Sequence, residues 1–127
     1  MMQRKAKSCS LPIASIFLLL IVVGCSAKAA TVFAINANPA QFDGKNITVR
    51  GTVDEVRKTT SRAGNDYSTF QIRDAAGDGV KVFTWGHPTI MNGDPVQVTG
   101  VFQQVRHVGH YTFYNEIDAQ SVRPFTH

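Results

Sequence analysis

Polar and aromatic side chains alternate with apolar ones along two short segments near the middle of the chain. The alternating set consists of Tyr67, Gln71, Arg73, Lys81, Phe83 and Trp85. Aromatic faces stack nucleobases with about 1–3 kcal/mol per base, and neighbouring cations attract phosphates. If both segments present this set to solvent, the pattern indicates a surface for single-stranded nucleic acid or another extended oligomer, such as an oligosaccharide.

Other side chains that could do chemistry form weaker patterns. His107 and His110 could bind a metal or haem iron, but no cysteine or carboxylate stands at ligand spacing beside them. Glu116 and Asp118 share one face of a predicted strand, without a visible partner for acid–base chemistry. The sequence has no nucleophile-elbow serine, phosphate loop or zinc motif. We therefore expect no enzyme activity and no cofactor, and a haem or metal chaperone remains an alternative.

Period-two alternation predicts the strands that would carry these residues. The five predicted strands cover residues 47–58, 67–73, 80–85, 96–105 and 111–122. In the second and third strands Phe70, Ile72, Val80 and Val82 would point inward, which turns the aromatic and basic set outward. A register error of one residue would exchange the two sets and place Phe83 and Trp85 in the core.

Further basic residues are expected to frame this surface. Lys58 and Arg62 lie beside or within the loop that follows the first predicted strand. Arg106 opens a predicted loop at residues 106–110, and Arg50 lies on the polar side of the first strand. We include these four residues with the alternating set as candidate ligand-binding residues.

The turns between the strands resemble those of the OB-fold family. Residues 44–53 read Gly-x-x-Ile-x-Val-x-Gly-x-Val, residues 67–74 end in Asp before a Gly turn, and residues 93–100 read Gly-Asp-x-Val-x-Val-x-Gly. The resemblance implies an all-β, five-stranded barrel with a short or missing helix between strands three and four, where residues 87–91 leave room for one turn. It also implies ligand binding across strands two and three, with nucleic acid as the ligand class.

The N-terminal residues have the order of a secretory signal. A basic head precedes an uncharged run of 14 residues, 11–24, which is shorter than the roughly 20 that span a bilayer. Residues 22–25, Val-Val-Gly-Cys, resemble the lipobox of bacterial lipoproteins, which implies cleavage before Cys25 and lipidation of that cysteine. Ser26 after it implies outer-membrane sorting. The alternative is ordinary cleavage before Ala30.

The predicted organisation is therefore a signal peptide (1–24), a tether (25–36), an OB-fold domain (37–123) and a tail (124–127). From residue 25 onward the sequence contains ten Lys and Arg residues and nine Asp and Glu residues, which gives a net charge of +1. The basic pI of the whole chain is mostly a property of the signal and not a nucleic-acid signature. We expect an exported binding module that is anchored in the cell envelope, or else soluble in the periplasm or secreted. A protein-interaction or structural domain of the envelope is the alternative function.

Overall fold

The structure, a computed structural model, describes residues 27–126. Its elements are β1 (Lys28–Ala29), α1 (Val32–Ala37), a 3-10 turn (Pro39–Gln41), β2 (Asn46–Thr60), β3 (Asp66–Arg73), β4 (Gly79–Trp85), β5 (Pro95–Val108) and β6 (Tyr111–Pro124). The predicted signal peptide and Cys25 lie outside the described residues. Within those residues, no helix is long and apolar enough to span a bilayer.

Strand β2 pairs with two neighbours and thereby closes the sheet into a barrel. Its first half runs antiparallel to β5, and its second half runs antiparallel to β3. The sheet continues in the order β3–β4–β6–β5, with a parallel pair between β4 and β6. This five-stranded closure is the OB-fold arrangement, so the predicted all-β OB-fold barrel is confirmed. Strands β2 to β6 correspond to the five predicted strands, and β1 is an additional short strand.

Gly51 marks the corner where β2 passes from one partner strand to the other. A Cβ atom at this position would lie 2.5 Å from the carbonyl oxygen of Arg73. No side chain fits at that distance, so glycine allows the close approach of β2 and β3 that the corner requires. Gly51 therefore allows a tight contact between the two backbones.

The barrel interior is filled by the side chains that alternation predicted to point inward. Phe70, Ile72, Val80 and Val82 are all buried in one apolar cluster. The cluster continues with the other inward residues of the barrel, which are Ile47, Val49, Val53, Val96, Val98, Phe102, Ile117 and Ala119. The register of β3 and β4 is thus the predicted one, and their other face points away from the core.

The N-terminal part of the described chain belongs to the barrel, whereas the sequence predicts a tether there. Strand β1 pairs in parallel with β2, and the backbone N–H of Ala30 donates to the carbonyl oxygen of Thr48 at 2.9 Å. In α1, Val32 and Ile35 are fully buried in the core cluster. Residues 28–37 are therefore part of the barrel domain, because these two apolar side chains cover part of its core.

Two connections differ in detail from the sequence expectation. Residues 86–94 between β4 and β5 form bends and turns, without the helical turn considered for residues 87–91, and Ile90 from this loop is buried in the core. The loop predicted at residues 106–110 is a tight hairpin, because β5 continues to Val108 and β6 starts at Tyr111. The chain turns at Gly109, whose φ of 60° suits glycine.

Candidate functional site

Three aromatic rings form a cluster on the outer face of β3 and β4. Tyr67 lies directly opposite Trp85 in the ladder, and Phe83 occupies the neighbouring outward position of β4. The ring of Phe83 stacks on that of Tyr67 at 5.4 Å and meets the edge of Trp85 at 5.1 Å between centroids. Such pairs stabilise each other beyond simple area burial. The cluster, defined by these three residues, is therefore a pre-arranged aromatic surface.

The three rings differ in how far they reach solvent. Trp85 is 60% exposed, whereas Phe83 is only 9% exposed although it lies outside the barrel core. The guanidinium of Arg106 covers Phe83, with its carbon 5.0 Å from the ring centroid. Phe83 is thus the floor of the cluster and not an open stacking platform as expected, and Trp85 presents the accessible ring.

Arg106 lies within β5 and not in a loop, which corrects its predicted position. Its guanidinium lies near two rings, those of Phe83 and Phe113, and donates a hydrogen bond to Oε1 of Glu116 at 2.9 Å. The ammonium of Lys81 lies 3.9 Å from the other carboxylate oxygen of Glu116. Glu116 itself is only 2% exposed. A carboxylate this deeply buried is tolerated because two cations face it.

The backbone of Asn115 explains how Phe113 and Glu116 reach the same guanidinium. Residues three apart in a regular strand point to opposite faces. Asn115 lies between them with φ of 52°, in the left-handed region, and interrupts the alternation of β6. Phe113 therefore turns to the outer face. Glu116 was predicted only to share a face of this strand with Asp118, and neither its burial nor the role of Phe113 was predicted.

Arg73 is held by acidic residues at the edge of the outer face. Its Nε donates to Asp54 Oδ2 at 2.7 Å, and its Nη2 donates to Glu55 Oε2 at 2.8 Å. The hydrogen bond from Arg73 lowers the pKa of the Asp54 carboxyl below its ordinary value, and the same bond raises the pKa of Arg73. Arg73 is outward as predicted, but its charge is compensated within the chain.

A β-bulge in β2 determines which cations join the outer face. The register shifts between Asp54 and Arg57, and Glu55 within the bulge has φ of 54°. As a result Arg57 lies opposite Thr69, on the outer face, and Lys58 lies opposite the buried Ser68. The sequence analysis selected Lys58 and missed Arg57, because simple alternation does not include the extra residue of a bulge.

The remaining predicted residues fall into two groups. Arg62 is exposed in the loop between β2 and β3, and Gln71 lies half-buried on the outer face opposite Lys81. Arg50 lies elsewhere: its Nε donates to Gln97 of β5 at 2.9 Å, and its guanidinium lies 4.1 Å from the centroid of the Phe125 ring. The structure does not bring Arg50 to the aromatic cluster, because the first half of β2 pairs with β5.

Two shallow depressions flank the aromatic cluster. One, of about 310 Å³, is lined by Glu55, Arg57, Thr69, Phe70, Gln71 and Lys81. The other, of about 530 Å³, lies between the β2–β3 loop and Trp85 and is lined by Gly64, Asn65, Asp66, Trp85 and Gly86. A planar group that stacks on Trp85 would have room on the loop side, and Arg57 lines the other depression.

The two histidines considered as metal or haem ligands do not converge with other ligand side chains. His107 contacts the Thr112 hydroxyl through Nδ1 at 3.1 Å, and His110 lies in the β5–β6 turn. Among residues 27–126, no group of three or more His, Cys, Asp or Glu side chains could hold a metal ion.

The fold and this face together define an OB-fold domain with an aromatic and cationic outer surface. No protein-family model matches the chain, and no curated protein matches it. A chain in the crystal structure of yeast Stn1 and Ten1 is similar, with a TM-score of 0.62 and 15% identity over 80% of this chain and 64% of that one. A proposed nucleic acid-binding lipoprotein from Klebsiella pneumoniae is also similar, with a TM-score of 0.51 and 17% identity over 79% of this chain and 92% of that one. At these identities the similarity shows the fold alone.

Proposed function

We propose that this domain binds single-stranded nucleic acid across the outer face of β3 and β4. The observation that carries the proposal is the 60% exposed ring of Trp85, which Tyr67 and Phe83 hold in place beside an open depression. An unpaired base stacks on Trp85, and the backbone of the strand runs towards the cations of the β2–β3 hairpin. Every base has a π face, so this mode of binding is sequence-tolerant.

The charges of this face favour base stacking over phosphate attraction. Arg73, Lys81 and Arg106 are each paired with a carboxylate. The chain from residue 25 onward has a net charge of only +1. Binding should therefore depend weakly on salt compared with strongly basic nucleic-acid binders. An oligosaccharide could also stack on Trp85, and direct competition between the two ligands distinguishes them.

We further propose that the domain is exported and anchored in the cell envelope through lipidated Cys25. The lipobox-like residues 22–25 after an uncharged run support this site. The position of β1 adds support, because cleavage before Ala30 would remove the paired Lys28 and Ala29 from the sheet. The similar Klebsiella protein, itself a proposed nucleic acid-binding lipoprotein, is consistent with both parts of the proposal.

The test measures binding of fluorescently labelled single-stranded DNA by anisotropy at low salt. Residues 26–127 suffice, since they contain every described element of the barrel. Stacking of one base contributes about 1–3 kcal/mol to binding. Trp85→Ala removes this stacking and should weaken binding by roughly 5- to 150-fold. Phe33→Ala is the matched control, because Phe33 is an equally exposed aromatic residue on α1. Equal affinity of the Trp85→Ala variant and the wild type would disprove the proposal.

The β5–β6 hairpin supports a protein-interaction role in the envelope as a second candidate. Its apolar side chains Val105, Val108, Tyr111 and Tyr114 are all exposed. Solvent-exposed apolar groups of this kind often mark a contact with another protein. An envelope protein whose binding survives Trp85→Ala, together with no measurable affinity for DNA, would favour this candidate over the first.

A further inference from the structure

Helix α1 carries no charged residue of its own and has an exposed aromatic ring, while Arg50 and Asp74 line the depression beside its first turn. Between Lys28 and Asp43 the sequence has no charged residue. Phe33 is 68% exposed, whereas Val32 and Ile35 of the same helix are buried in the core. Phe33 therefore does not serve the packing of the barrel. A single exposed phenylalanine in a stretch without charges has the composition of a side chain that enters a lipid interface.

The distance along the chain from Cys25 to the barrel is short. Cys25 precedes Lys28 by three residues, and Lys28 is fixed by its pairing opposite Ile47 of β2. Consecutive Cα atoms are 3.8 Å apart, so the Cα atom of Cys25 lies at most about 11 Å from that of Lys28. A lipid on Cys25 would therefore hold the β1–α1 part of the barrel close to the bilayer.

The aromatic cluster lies at the far end of β4 from α1. The side-chain amide of Asn36 in α1 donates to the carbonyl oxygen of Gly79 at 3.1 Å, and Gly79 is the first residue of β4. Trp85 is the last residue of that strand. Six steps of about 3.3 Å separate the two positions by roughly 20 Å. A membrane beneath α1 would thus leave Trp85 open to solvent.

We propose that the α1 surface rests on an anionic lipid bilayer, with Phe33 inserted among the headgroups. This inference rests on the membrane attachment proposed above. Lys28 is exposed in β1, the strand that leads into α1, and adds a favourable contact with anionic lipids. The barrel is then oriented, with the Trp85 end of β4 away from the membrane. The attachment through Cys25 thereby determines the direction from which a ligand reaches Trp85.

The test uses residues 25–127, which contain every described element and a single cysteine, Cys25. Cys25 is coupled to a maleimide lipid in vesicles of phosphatidylcholine and phosphatidylglycerol, so the experiment does not depend on cellular lipidation or on DNA binding. The wild type has a single tryptophan, Trp85. A Phe33→Trp/Trp85→Phe variant moves that one indole to the α1 surface. Brominated phosphatidylcholine then quenches whichever indole lies in the lipid interface.

An interfacial side chain enters about 5–10 Å into the headgroup boundary, so we expect quenching at position 33 to exceed quenching at position 85 about threefold or more. Equal quenching at the two positions, or none at position 33, would overturn the proposed orientation. A blue shift at position 33 without quenching by bromolipid would also overturn it, because Phe33 would then contact a second copy of the chain. A failed DNA titration leaves this measurement unaffected, so the two proposals fail separately.

Discussion

The centre of the outer face and the β2–β3 hairpin beside it use their cations in different ways. At the centre, Arg106 and Lys81 both face Glu116, and Arg73 at the edge faces Asp54 and Glu55 in the same way. On the hairpin, Arg57, Lys58 and Arg62 are exposed, and within residues 27–126 none of them forms an ion pair.

This difference separates two tasks on one surface. The compensated cations at the centre hold aromatic rings in position, as Arg106 does between Phe83 and Phe113. The uncompensated cations of the hairpin are free to approach phosphates. Charge at the centre is thus structural, and charge at the hairpin is available to a ligand. Three predictions test this distinction.

Loss of the buried carboxylate at the centre should have the largest effect. Glu116→Ala removes the partner of both Arg106 and Lys81. Breaking a buried ion pair costs about 3–5 kcal/mol, and since Arg106 partly reaches solvent we expect the free energy of unfolding to fall by about 2–3 kcal/mol. Urea denaturation measures the change. Asp118→Ala, a half-buried carboxylate on the same strand, is the control, and an equally small loss in both variants would contradict a structural role for Glu116.

The barrel itself could be predicted from the sequence because its signals are local. Turn residues and alternation predict the strands and the inward set, the resemblance to the OB-fold family supplies the barrel, and Phe70 and Val82 are buried as expected. The limits of the domain were harder to predict. Residues 28–36 have the composition of a linker, and only the burial of Val32 and Ile35 shows that they complete the core.

The candidate site could be predicted only in part, because two backbone irregularities lie beside it. The positive φ angles at Glu55 and Asn115 each interrupt an alternating pattern. The first brings Arg57 to the outer face, and the second brings Phe113 there. Neither residue is a glycine, which is the clearest sequence signal of left-handed backbone, although asparagine adopts it more often than most residue types. The outward set on β3 and β4, where no irregularity occurs, was placed correctly.

A change on the hairpin should alter the salt dependence of binding. For single-stranded nucleic acid, each phosphate contact contributes about 0.7 to the slope of log affinity against log salt. If Arg57 contacts a phosphate, Arg57→Gln should reduce the slope by about this amount. Arg73→Gln is the matched control, because Asp54 and Glu55 already compensate Arg73. Anisotropy titrations between low and moderate salt measure both slopes, and a larger reduction for Arg73→Gln would reverse the assignment of the two regions.

The smallest expected effect is an acid-dependent loss of stability at the Asp54–Arg73 pair. The hydrogen bond from Arg73 lowers the pKa of Asp54 in the folded protein. The ionised carboxyl therefore stabilises the fold at any pH above its ordinary value of about 3.9, and this contribution is lost as the pH falls towards the lowered folded-state pKa. Melting temperatures of the wild type and of Asp54→Asn, measured from pH 6 downward, should differ most at the upper end and converge in acid. A difference that instead grows below pH 4 would mean that the protonated Asp54 carboxyl stabilises the fold. The negative charge of Asp54 would then not be what holds Arg73.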